Sequence, residues 1–172
     1  PDTLRRVVVS NGRRTLSLGD VFFVTGSPGD RIEIESTAGM DGLGAGMAGG
    51  TIVADGDAGD ATARGMRKGR LEIRGRAGSH LASGMRGGLV TVGGDAGAHV
   101  GAAHPGERFG MAGGTVVIGG DSGERTGDRM RRGTILIRGK AGPAAGSRMM
   151  GGTIWAERGF GAGPGPLLRR GT

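Results

Sequence analysis

The sequence contains no cysteine and no tyrosine, and only 3% of its residues are aromatic. Without thiols the chain can form neither a disulfide framework nor a thiolate metal site, which is compatible with a reducing compartment. Scarce aromatic side chains make nucleic acid a poor candidate for a partner, because single strands bind on aromatic stacking platforms. No run of about 18 apolar residues and no basic-then-apolar leader is present, which predicts no membrane span and no signal peptide. We therefore expect a cytoplasmic protein.

Glycine is the residue that the sequence has in abundance, at 42 of 172 positions. Each glycine in a helix costs about 1 kcal/mol relative to alanine, which argues against a helical bundle and an ordinary α/β enzyme domain. Collagen is excluded because glycine does not recur at every third position and proline occurs only six times. Lysine and arginine outnumber aspartate and glutamate by 23 to 16, and the formal charge of +7 favours an acidic partner.

A repeat anchored on methionine organises most of the chain. Glycine stands three residues after each methionine of the repeat, and a short β-prone run follows it. A unit of about 19 residues is too short for a strand, a packing helix and a return, but it suits one rung of a solenoid whose strands stack about 4.8 Å apart. The anchoring residues, at intervals of 19, 19, 26, 19 and 19, are Met47, Met66, Met85, Met111, Met130 and Met149.

This repeat predicts an all-β fold, a single right-handed parallel β-helix of about seven rungs over residues 1–172. The crossover rule for parallel strands gives the right hand. Alternation in residues 71–74 places Leu71 and Ile73 inside and Glu72 outside, so that the methionine and two aliphatic positions form three internal columns. Methionine suits such a column because its flexible thioether fills irregular gaps.

Several segments depart from the repeat. We expect residues 1–17 to form an N-terminal cap or edge strand, because solenoids need atypical end rungs. Residues 98–109 are an insertion that lengthens one interval to 26, and residues 168–172 begin a further, incomplete rung. Either the chain is a fragment of a longer protein, or something else covers this open end. The strand-like runs before the first anchoring methionine are residues 7–9, 21–24 and 32–34, the last being offset by one residue from the 19-residue register.

Three motifs carry a family resemblance: Gly-Asp-Arg-Met-Arg-Arg-Gly-Thr at 127–134, Gly-Ser-Arg-Met at 146–149 and His-Pro-Gly-Glu-Arg-Phe-Gly-Met at 104–111. Over roughly residues 30–172 the chain resembles the Gly-rich β-helix subunit of the bacterial formyltransferase/hydrolase complex. The same β-helix occurs in the corresponding subunit of archaeal formylmethanofuran dehydrogenase and in the C-terminal domain of glutamate synthase.

The resemblance implies a place in one-carbon metabolism. The bacterial complex transfers a formyl group from formyl-tetrahydromethanopterin to a methanofuran-type carrier and hydrolyses it to formate during formaldehyde oxidation. Its catalytic sites belong to other subunits, so the chain is expected to be a non-catalytic scaffold subunit of a hetero-oligomer that binds no cofactor alone. Two alternatives stay open: the β-helix domain of a glutamate-synthase-like amidotransferase assembly, and a free polyanion-binding module.

No catalytic or metal-binding constellation is evident in the sequence. His99 and His104 fall in the insertion with Glu107 nearby, and His80 is the remaining histidine. A zinc site needs three or four ligands in fixed geometry. On a flexible insertion, two histidines and one glutamate are better interpreted as surface or interface residues.

Two outward-facing features predict contact with other molecules. In the last three rungs, Val117, Leu136 and Trp155 should lie side by side on the surface, and such an apolar stripe suggests a partner interface. A row of cations after the methionine column should stack at rung spacing and attract an acidic subunit or an acidic cofactor tail. The outward position six residues after each anchoring methionine holds Val53, Glu72, Thr91, Val117, Leu136 and Trp155, and the candidate acidic-partner contacts are Arg67, Lys68, Arg86, Arg131 and Arg132.

Overall fold

The computed structural model describes residues 8–11, 14–17, 29–35 and 39–172, in two compact units divided between Asp30 and Arg31. In the first unit, β1 (Val8–Asn11) pairs antiparallel with β2 (Arg14–Ser17) in a hairpin. A capping role for residues 1–17 stays a prediction, and the strand expected at 21–24 lies outside the described residues.

The second unit is the predicted right-handed parallel β-helix. Each of its seven strands hydrogen-bonds to the next in parallel register. The pairing of Ile32 with Ile52 confirms the one-residue offset predicted for the first strand. Within the described ranges there is no helix, and so none that could cross a membrane. The strands are β3 (Arg31–Glu35), β4 (Ala48–Asp55), β5 (Lys68–Ile73), β6 (Leu89–Val92), β7 (Ala112–Ile118), β8 (Arg132–Ile137) and β9 (Thr153–Ala156).

Methionine and glycine of successive rungs fit together in the interior. A Cβ added to Gly133 would lie 2.8 Å from Met111 Cε and 2.9 Å from Gly114 O, and the φ of Gly133 is +108°. The methionine methyl group therefore fills the space that a side chain on the next rung would need, which explains why glycine follows each methionine by three residues. The predicted methionine column is confirmed for Met66, Met85, Met111, Met130 and Met149, which are at most 2% exposed, whereas Met47 in the first rung is partly buried.

The interior holds two further columns that the repeat analysis did not predict. One consists of small residues that bridge successive rungs, and the other lies on the opposite stretch of each rung. At the corners, aspartates fasten one rung to the next; for example, the backbone N–H of Lys140 donates to Asp121 Oδ1 at 2.8 Å. The two columns are Ala58, Ala77, Ala96, Ser122 and Ala141, and Thr62, Leu81, Val100, Thr126 and Ala145.

The stretch that closes each rung has left-handed backbone at alternating residues. In one rung, His80, Ala82 and Gly84 have φ of 60°, 55° and 64°. Their neighbours compensate for the strain, because the N–H of His80 donates to Ala98 O in the next rung and that of Ala82 to Thr62 O in the previous one, both at 2.8 Å. This alternation fixes His80 at a corner, where it faces the insertion.

Candidate functional site

The outer face of the seven-stranded sheet carries the predicted apolar stripe. Val117 pairs in register with Leu136, and Leu136 with Trp155, so the three side chains lie side by side across β7, β8 and β9. Val117 and Leu136 are half-buried, and Trp155 is 58% exposed. The stripe is therefore placed as predicted.

The same row differs from the prediction at its first position. Val53 pairs in register with Glu72, as the repeat requires, but it is only 4% exposed and does not belong to the interior cluster. The prediction that Val53 is a surface residue is wrong. Among the described strands, the row reaches solvent from Glu72 onward.

Two connected grooves follow this row. The first has a volume of about 450 Å³ and lies where Gly93 and Gly119 present no side chain between Arg74 and Arg138. The second, of about 270 Å³, lies against the apolar stripe. Val117 and Arg138 line both grooves, so the two form one trough, which we call the outer trough. It is lined chiefly by Arg70, Glu72, Arg74, Thr91, Val117, Leu136, Arg138, Trp155 and Glu157.

The five predicted basic contacts are exposed, but they do not form one continuous row. Arg86 donates its backbone N–H to Met66 O and Arg131 donates to Met111 O, whereas Ala112 takes the equivalent place between them by donating to Met85 O. The prediction of an unbroken row is therefore wrong. Alanine in the intervening rung leaves Arg86 and Arg131 two rungs, about 9.6 Å, apart, close to the screening length in physiological salt, which limits their repulsion.

These cations fall into two groups, Arg67, Lys68 and Arg86 on one side and Arg131 and Arg132 on the other. No acidic residue in the described part of the chain forms an ion pair with any of them. Both groups are therefore available to an acidic partner.

The insertion is fastened to the β-helix, which sequence analysis did not predict. Arg131 lies over the Phe109 ring at 4.5 Å from its centroid, and Arg108 lies at 5.0 Å. Arg64, two rungs away, forms an ion pair with Glu107 at 2.8 Å. The 26-residue interval locates the insertion in the sequence, but only the folded chain shows that it turns back over earlier rungs.

The insertion also brings the three histidines together. The rings of His80 and His99, which occupy equivalent corners of successive rungs, stack at 4.9 Å between centroids, and His104 lies 5.1 Å from His80 at a tilt of 50°. Glu107, which the sequence placed near them, pairs with Arg64 instead. No group of three histidine, aspartate or glutamate side chains in the described residues is arranged to hold a metal ion.

The histidine cluster should make stability depend on pH. Burial lowers the pKa of His80, and positive charge on His99, His104 and Arg64 lowers it further, while Asp60 opposes the shift. Its Nδ1 atom is buried without a hydrogen-bond partner in the described structure. Because the unfolded state takes up this proton more readily, the contribution of His80 is fully present above pH 6.5 and is lost as the pH falls through the lowered folded pKa.

We expect the free energy of unfolding to decrease between pH 7.5 and pH 5.5, and the decrease to be smaller in His80→Asn. Asparagine tolerates the positive φ of this position, so the variant removes the imidazole with little backbone strain. Denaturant unfolding at the two pH values measures both chains. An equal pH dependence in both would show that the cluster does not contribute.

Comparison with known proteins places this surface in a family context. Neither a family model nor a curated protein matches the chain. Among solved structures, it is similar to a chain of the formyltransferase/hydrolase complex (FhcABCD) from Methylorubrum extorquens, crystallised with methylofuran, with a TM-score of 0.92 and 39% sequence identity. The match covers 99% of this chain and 64% of that chain, so this sequence spans less than two thirds of its relative. The chain is therefore a relative, in sequence and in fold, of a chain of the formyltransferase/hydrolase complex, as its methionine repeat predicts.

Proposed function

We propose that this chain is the Gly-rich β-helix of a formyltransferase/hydrolase complex, in which it serves as a non-catalytic scaffold. The observation that carries the proposal is the 39% identity over 99% of the chain to a chain of such a complex. The exposed chemistry agrees with this role. The apolar stripe suits contact between subunits, and the arginines cannot act as bases because their pKa stays above 12.

In this proposal the complete assembly works in cytoplasmic one-carbon metabolism. It transfers a formyl group from formyl-tetrahydromethanopterin to a methanofuran-type carrier and releases formate. The methylofuran present in the related complex supports this carrier class. This chain supplies neither cofactor site by itself and positions the subunits that do.

Purification of the complete, untagged protein from its native cells tests the proposal. Stable partner subunits, together with formyltransferase and formyl-hydrolase activity in the purified assembly, are the expected result. Amidotransferase-type partners would favour the glutamate-synthase-like alternative. A protein that purifies alone and binds heparin would instead be a polyanion-binding module.

The basic group at residues 131 and 132 gives a second test. Reversing both arginines to glutamate should weaken assembly, or raise the KM for an acidic carrier about tenfold, with kcat nearly unchanged, because the arginines attract and orient rather than react. The effect should shrink at high salt. The control reverses two exposed cations elsewhere, Lys140→Glu with Arg158→Glu. Loss of kcat with binding intact would contradict the non-catalytic assignment.

A further inference from the structure

The outer trough has a cationic end that its own side chains do not neutralise. Arg70, Arg74 and Arg138 line the first groove with Glu72 as its only acidic residue. Arg74 contacts Asp55 at 3.4 Å, whereas Arg70 and Arg138 form no ion pair within the described residues. This end therefore attracts a negatively charged group.

The floor of that end leaves room for such a group. Arg74, Gly93, Gly119 and Arg138 occupy equivalent positions of four successive rungs, so two rungs without side chains separate the arginines. A Cβ on Gly93 would collide with Arg74 O, so the close approach of the backbones requires the glycine. Beside it, the hydroxyl of Thr91 is buried without a hydrogen-bond partner in the described structure, a cost that a bound ligand could remove.

The other end of the trough is apolar. Val117, Leu136 and Trp155 form its wall, with Glu157 as its only acidic residue. From the rung of Arg74 to the rung of Trp155 there are four steps of about 4.8 Å, or about 19 Å, which about six extended residues span at about 3.3 Å each. The trough thus presents, in fixed order, a site for an anion and a site for an apolar side chain.

We propose that the outer trough binds an extended segment of a partner subunit, whose acidic side chain lies between Arg74 and Arg138 and whose apolar side chain, within about six residues, packs on Leu136 and Trp155. Charge favours this occupant over a second copy of the chain. The formal charge of +7 repels an identical cationic face, whereas an acidic segment complements it. The proposal rests on the proposed function in that the partner belongs to the same assembly.

Site-specific photocrosslinking in the complete assembly tests this binding mode. We would place p-benzoylphenylalanine at position 117, which lines both grooves, and at position 140 as a control. Mass spectrometry of the crosslinked peptides should show one partner segment that contains an acidic and an apolar residue within the expected spacing, joined only to position 117. A crosslink to a second copy, to another part of this chain, or to a segment without an acidic residue would overturn the proposal.

Charge reversal separates this proposal from the proposed function. Arg138→Glu should weaken binding of the partner subunit at least tenfold, whereas Lys140→Glu should leave it unchanged. If Arg138→Glu binds normally while Trp155→Glu does not, the acidic-segment mode fails and the scaffold role stands. If the wild-type chain forms no assembly, both proposals fail.

Discussion

Replacing Trp155 with glutamate is expected to weaken the binding of this chain to its partner subunits at least a hundredfold and to leave the isolated chain folded. The side chain is 58% exposed and lies outside the interior cluster, so its loss removes no core packing. In the assembly, burying the free part of an indole of about 150–250 Å² at about 25 cal/mol per Å² is worth roughly 2–4 kcal/mol. Glutamate loses this term and adds the cost of burying an unpaired carboxylate.

The dissociation constant can be measured by titrating the isolated variant against the remaining subunits, with its thermal unfolding as the test of folding. Lys140→Gln is the matched control, because it changes the net charge by the same amount at an exposed corner. An unchanged dissociation constant for Trp155→Glu would reduce the stripe of Val117, Leu136 and Trp155 to ordinary surface.

The position of this stripe could be predicted from sequence because one column fixes the register of all the others. Once the methionines are aligned, every residue six positions later lies on the same outer column, and the structure pairs Val117, Leu136 and Trp155 as this counting requires. Alternation then separates inward from outward residues, as Leu71 and Glu72 show. The counting gives direction but not cover, which is why it did not predict the burial of Val53.

Features that do not follow the period could not be predicted in this way. The interior column that contains Thr62, Leu81 and Ala145 has no constant residue type, because it lies on left-handed backbone where packing volume and not β-propensity selects the side chain. The histidine cluster depends on the insertion turning back across the rungs, so that His104 contacts His80 rather than only its neighbour His99. Spacing along the chain carries no information about that return.

Substituting alanine for Gly142 should destabilise the β-helix by about 3 kcal/mol or more, at or above the upper end for overpacked sites. An added Cβ would lie 2.5 Å from Gly123 C, 2.6 Å from Gly123 O and 2.7 Å from Glu124 N. All three atoms are backbone, so no side chain can rotate away to make room. The two rungs would have to separate where Gly142 donates its N–H to Ser122 O at 2.9 Å.

Gly49→Ala provides the matched control for this substitution. No atom lies within 4 Å of an added Cβ at Gly49, and neither glycine has a positive φ, so the two changes differ only in the space available. We expect Gly49→Ala to change the free energy of unfolding by no more than about 0.5 kcal/mol, as for an ordinary surface site. Denaturant midpoints and m-values of the two variants and the wild type decide the comparison. Equal midpoints would mean that the rungs can move apart at little cost, and that close backbone approach is not what selects glycine at this corner of the repeat.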